Sequence, residues 1–225
     1  MMNFSKIILV VFMLLAGLST ARAQSVTLYQ NIYSYKDGGE FTAKTNPNDF
    51  MSAYAPEATL NGGFETFCVE SNVYFYPGHT YSYVLTDMAS TGQKLSLGAA
   101  YLYDKFATGT LTGYNYTDTP TRKSDNGELQ SALWEFQGHQ TVAGFPSYST
   151  DPFYNLAIND LGGTAAAFSP NNGTYGVDII QLYGANGAPA QAQLVLTPAP
   201  EPSTWLLLAM GLLMVVGVKV LPKLS

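Results

Sequence analysis

Phe64-Glu65-Thr66-Phe67-Cys68-Val69-Glu70-Ser71-Asn72-Val73-Tyr74-Phe75-Tyr76 is dense in aromatic and β-branched residues and stops at Pro77-Gly78. The pattern restarts at His79 and carries Tyr81, Tyr83 and Leu85 up to Thr86. Two such runs separated by a Pro-Gly turn predict a β-hairpin with Cys68 on its first strand. Upstream, Ser25 to Tyr35 alternates Val26, Leu28 and Gln30 against Thr27, Tyr29 and Asn31, which predicts another strand before the turn Lys36-Asp37-Gly38-Gly39. Downstream, Tyr175–Tyr183 and Gln191–Leu196 return to strand character.

Between these strands the period changes. Leu95, Ala99, Leu102 and Phe106 recur at helical spacing, with Gly109 as a stop. A polar, Thr-rich loop is expected from Thr108 to Lys123. A second helix is expected from Asp125, with Asp125 as N-cap and Glu128 completing a capping-box-like pair, ending at Gly138. A third, short helix has Asp151 as N-cap, Pro152 at its first position and Gly162-Gly163 beyond its end. Strands, then a small helical insertion, then strands predict an α+β fold, a β-sandwich or barrel-like domain with helices packed on one side.

The two ends read differently from the body. Lys6, the apolar run Ile7–Leu18 and the small-x-small triplet Ala21-Arg22-Ala23 form a signal peptide over residues 1–23, with Gln24 as the first mature residue. A transmembrane helix is the weaker reading, because a span needs roughly 20 apolar residues. Residues 24–197 are then one exported domain. Residues 198–204 form a proline-rich linker, and 205–225 an apolar helix that starts at Trp205 and closes on Lys219 and Lys223. Pro200-Glu201-Pro202, then an apolar stretch, then a basic end resembles the PEP-CTERM sorting signal of Gram-negative bacteria. The resemblance implies recognition by an exosortase after signal peptidase has acted. It also implies transient anchoring in the inner membrane and a final place at the cell surface or in a biofilm matrix.

Composition narrows the partners. The domain holds Lys36, Lys44, Lys94, Lys105, Arg122 and Lys123 against the chain's 16 Asp and Glu less Glu201. An acidic domain with few cations is a poor nucleic-acid binder. Cys68 is the only cysteine, so no intramolecular disulfide forms in the oxidising compartment that an exported chain enters. A buried, unreactive thiol is the ordinary reading of such a residue.

On a helical wheel of about 100° per residue, Leu129, Ala132, Leu133 and Phe136 share one face, and Glu128, Ser131 and Glu135 the opposite, wet one. Gln130 falls on the shoulder of the apolar arc, where its amide needs partners. Phe67-Cys68-Val69-Glu70 followed by Leu129-Gln130-Ser131-Ala132-Leu133-Trp134 resembles the two signature segments of bacterial thioester domains. In that family a strand cysteine and a helix glutamine condense into an internal thioester. Carried over, the resemblance implies a Cys68–Gln130 thioester that captures an amine or hydroxyl partner once, on a matrix polysaccharide or a surface protein. Phe67, Trp134 and Phe136 are suitably placed in sequence to keep water from it.

Other constellations are weaker. Cys68, His79 and His139 lack the close ligand pairs of zinc sites. Cys68 with His139, oriented by Glu70 or Asp125, would make a nucleophile–base pair of a hydrolase. Asp118, Asp125 and Asn126 could bind calcium but do not match an EF-hand. Tyr101, Tyr103, Tyr114 and Tyr116 could stack sugars, though such tyrosines more often line sheet faces and core edges. No cofactor, metal or turnover activity is expected. A non-covalent structural or carbohydrate-binding matrix protein is the alternative.

Overall fold

A computed structural model describes residues 24–46, 50, 63–117, 119–140 and 142–197. The signal-peptide triplet through Ala21 and Ala23, the sorting motif Pro200, Glu201 and Pro202, the apolar segment 205–225 and the calcium candidate Asp118 lie outside them. No helix among the described residues is long and apolar enough to cross a membrane.

The fold is α+β. Among the described residues six strands, β1 (Ser25–Gln30), β2 (Phe41–Asn46), β3 (Phe64–Thr66), β4 (Thr80–Thr86), β5 (Val177–Tyr183) and β6 (Pro189–Leu196), form one antiparallel sheet in the order β3-β2-β1-β4-β5-β6. Four helices, α1 (Leu97–Ala107), α2 (Thr119–Phe136), α3 (Pro152–Asp160) and α4 (Thr164–Ala167), lie between β4 and β5, with a 3₁₀ turn at Tyr148–Thr150. Side chains alternate in the strands. Val26, Leu28, Phe41, Ala43, Phe64, Tyr81, Tyr83, Ile180, Leu182 and Val195 form one buried cluster with Cys68 and Trp134. Val177, Ile179, Ala192 and Leu194 point the other way, into a second cluster with α1, α2 and α3.

The hairpin expected of Phe64–Tyr76 and His79–Thr86 does not form. Strand β3 pairs with β2, and β4 pairs with β1 and β5. The chain leaves β3 after three residues and crosses to the far edge of the sheet. There Leu194 N–H donates to Phe67 O (3.1 Å) and Val69 N–H to Ala192 O (3.0 Å). Packing decides the outcome: Phe67 is drawn into the helical cluster and Cys68 into the sheet-lined one. Tyr74 and Tyr76, which lent the run its strand-like density, are 69% and 70% exposed. Strand β2 was not expected, because in Phe41-Thr42-Ala43-Lys44-Thr45-Asn46 small and polar residues mask the alternation.

Helix α2 begins at Thr119, with Pro120 in its first turn, and not at Asp125. The Asp125 carboxylate accepts the Asn115 N–H (2.8 Å), so it orders the preceding loop and does not cap the helix. Ser131, expected on a wet face, is buried, because α2 lies against both clusters: Leu129, Ala132, Leu133 and Phe136 face one and Trp134 the other. Tyr101, Tyr103 and Tyr114 are likewise buried. Helix α1 and helix α3 keep close to their expected bounds, the latter with Asp151 as N-cap and Pro152 at its start.

Asp151 carries a pH dependence. Its side chain accepts the Phe153 N–H (2.8 Å) and the Tyr154 N–H (3.1 Å), while Oδ2 is buried with no hydrogen-bond partner. Burial pushes its carboxyl up to about 7; the two amide bonds oppose this and the charge of Glu128 adds to it. A folded-state value above the unfolded one makes ionisation costly to the fold. That cost is absent below the unfolded value near 3.9, grows as pH rises, and is complete above the folded value. Stability should therefore rise by on the order of 2 kcal/mol from pH 8 to pH 5 through this group. Asp151→Asn, which keeps the cap acceptor, should flatten that part of the profile in urea titrations at the two pH values.

Candidate thioester site

Cys68 sits where the chain leaves β3, opposite Gln193 of β6. It is a free thiol with no exposure to solvent. Gln130 comes from the middle of α2 and is also fully buried. Fold and sequence separation thus bring together two residues 62 positions apart. The Gln130 side chain is seated on the backbone of Cys68 itself: Oε1 accepts the Cys68 N–H (3.0 Å) and Nε2 donates to Cys68 O (2.9 Å). A second amide, Gly39 N–H, also donates to Oε1 (2.9 Å).

The roof over this pair is the turn Tyr35–Gly39. Tyr35 N–H donates to Gly39 O (3.2 Å), Gly38 N–H to Tyr35 O (3.1 Å), and Lys36 takes a positive φ of 52°. Lys36 Nζ ties the turn to Gly144 O (2.5 Å), and the Tyr35 ring meets Phe145 edge-on at 5.2 Å. Glycine is needed twice. A Cβ on Gly38 would lie 2.7 Å from Phe145 and 3.0 Å from Gln130 Cγ. A Cβ on Gly39 would lie 2.5 Å from Phe67 Cδ1 and 3.0 Å from Gln130 Oε1. Backbone must pass this close for a peptide N–H to reach the glutamine.

Of the three proposed shielding rings, one stands at the pair, one stands behind its roof and one stands away. Phe67 lies against Gly39 and meets Phe106 edge-on (4.9 Å). Trp134 meets Phe145, which covers Gly38, at 4.9 Å. Phe136 instead stacks on Tyr154 (4.9 Å) in the helical layer.

The electrostatics favour neutral groups. Burial pushes the Cys68 thiol up to about 12, against a contact from Gln193 Nε2 to Sγ at 3.8 Å and with a further push from the charge of Glu70. Burial also raises the Glu70 carboxyl; its Oε2 accepts the Ala192 N–H (2.8 Å) and Oε1 has no hydrogen-bond partner. His79 is exposed beside Tyr76, and His139 lines a surface depression with Glu135, Gly138, Gln140 and Tyr148. Among the described residues no group of three His, Cys, Asp or Glu side chains is placed to hold a metal.

Gly39, Glu40, Arg122 and Gln193 also stand at or beside the site, and no sequence motif marks them. One signal was present: Arg122 is the only arginine between residues 24 and 197, and here it is fully buried. No protein-family model, no curated protein and no solved structure matches the chain.

Proposed function

We propose that the chain is an exported surface or biofilm-matrix protein that forms a Cys68–Gln130 thioester and uses it once to capture an amine or hydroxyl partner. The observation that carries this reading is the seating of the Gln130 carboxamide on the Cys68 backbone, buried and roofed by Gly38 and Gly39. Two residues held side by side in this way need no diffusional encounter. Cys68 Sγ adds to Gln130 Cδ, the C–N bond breaks, and the thiol proton leaves with the nitrogen as ammonia. In capture, a nucleophile adds to Cδ, the C–S bond breaks, and the nucleophile's proton returns to sulfur as thiol. The product is an amide or ester through Gln130. Cys68 and Gln130 are both fully buried, so the closed site should keep water from the thioester until a partner arrives.

The tail from Pro200 onward supports sorting by an exosortase, with residence in the inner membrane before release to the surface. The sheet is read as barrel-like because the segment after edge strand β3 bridges the opposite edge strand β6.

The intact mass of freshly purified domain 24–197 tests capture. It should fall below the sequence value by one ammonia, gain one methylamine on treatment, and equal the sequence value in Cys68→Ala. A full sequence mass with a thiol open to alkylation after denaturation would remove the chemistry. One observation favours the non-covalent alternative. The exposed Tyr74 borders a groove lined also by Gln30, Asp37 and Gln191, a mixture of ring and polar groups suited to sugars. Polysaccharide binding that survives Cys68→Ala unchanged would support it.

A further inference from the structure

When sulfur adds to Gln130 Cδ, Oε1 takes up negative charge. Donors already in place stabilise that state more than the starting amide. Two are present, the N–H groups of Cys68 and Gly39. The first travels with the nucleophile. The second belongs to a separate turn and has to be held.

The residue after Gly39 supplies the hold. The Glu40 carboxylate is fully buried and accepts from Arg122 Nε (3.0 Å), from Arg122 Nη2 and from Tyr114 OH (3.0 Å). Arg122 Nη1 donates to Tyr116 O (2.8 Å), and its guanidinium lies over the Tyr33 ring at 3.8 Å. Burial works against the arginine's charge, but the bonds and charge of Glu40 outweigh it and hold the guanidinium above its ordinary value. Ser34 Oγ donates to Glu40 O (2.6 Å) and fixes the backbone on the C-terminal side of Glu40. Arg122 and Gln130 share helix α2, so one rigid element carries both the acyl group and the anchor of its oxygen's donor.

We infer that the Gly39 N–H is a catalytic donor to the Gln130 oxyanion and that Glu40 and Arg122 are positioning residues which hold it there. The inference rests on the thioester reading. A buried ion pair adds little stability over packed apolar side chains, so stability alone gives weak reason for this pair.

The test uses the double variant Glu40→Met/Arg122→Met, which replaces the pair by apolar chains without leaving a lone charge. In a Cys68→Ala background, which has no crosslink, it should unfold cooperatively near the midpoint of Cys68→Ala alone. Refolded from inclusion-body chains in which Gln130 is still an amide, the double variant should give the species lighter by one ammonia about a hundredfold more slowly than wild type. In a Cys68→Ala background, where Gln130 remains an amide, the Gly39 N–H should exchange with deuterium at least tenfold faster once the pair is replaced. Thioester formation at the wild-type rate, or unchanged Gly39 exchange, overturns the inference. A wild-type chain with no mass deficit overturns covalent capture instead, and the exchange comparison still reads the clamp. If the double variant does not fold, Tyr114→Phe takes its place. It should slow formation severalfold at an unchanged melting midpoint, and a wild-type rate would count against the inference.

Discussion

Cys68→Ala should lower the unfolding free energy of the domain by about 4 kcal/mol and raise its denaturant m-value. A thioester is a covalent link between positions 62 apart, enclosing β4, α1 and most of α2. Such a link removes conformations from the unfolded chain much as a disulfide does, and more of them for longer loops. The substitution also deletes a buried sulfur, which costs stability through the cavity it leaves. The m-value separates the two. A cavity moves the midpoint at constant slope, whereas an unlinked denatured chain expands and exposes more surface. Urea titrations of both proteins, completed before the denatured thioester hydrolyses, give the comparison. Equal slopes with a small midpoint shift would mean that no crosslink exists.

Gly39→Ala should be nearly as damaging, for a local reason. The new methyl would lie 2.5 Å from Phe67 Cδ1, and Phe67 cannot retreat because it is fully buried and packed edge-on against Phe106 at 4.9 Å. The turn must lift. Overpacking of this kind costs about 1–3 kcal/mol. Lifting also withdraws the Gly39 N–H from Gln130 Oε1, so thioester content in the purified protein should fall at least tenfold by intact mass. Asp37→Ala, at an exposed position of the same turn, should leave stability and thioester content as in wild type. Full thioester content in Gly39→Ala would show that the roof is not needed.

Local signals carried much of the architecture. Capping chemistry placed α3, helical spacing placed α1, and the strand character of Tyr175–Tyr183 and Gln191–Leu196 placed β5 and β6. Non-local pairing was not legible. Nothing in Phe64–Tyr76 says that the chain leaves β3 after Thr66 to meet β6, because that choice depends on which cluster receives Phe67 and which receives Cys68. The start of α2 was hidden for a related reason. Thr119–Ser124 reads as a polar loop until Glu40, 82 positions away from Arg122, supplies the charge that lets the arginine be buried. Cys68 and Gln130 were singled out by their flanking residues. The amide donors that hold Gln130 are backbone groups, and backbone groups have no letter in a sequence.

Strand β6 gives the site a mechanical side. It is bonded to β5 along one edge and to the Phe67–Val69 segment along the other, and residues 198–225 follow it. In a chain held at the envelope through those residues, as proposed above, a partner captured on Gln130 puts tension on the stretch from α2 to β6. Strands β1 to β4 precede that stretch and carry none of the covalent load. What holds β6 in the domain is the pair of ladders that flank it. The grip of the whole domain would then depend on a strand that takes no part in the chemistry.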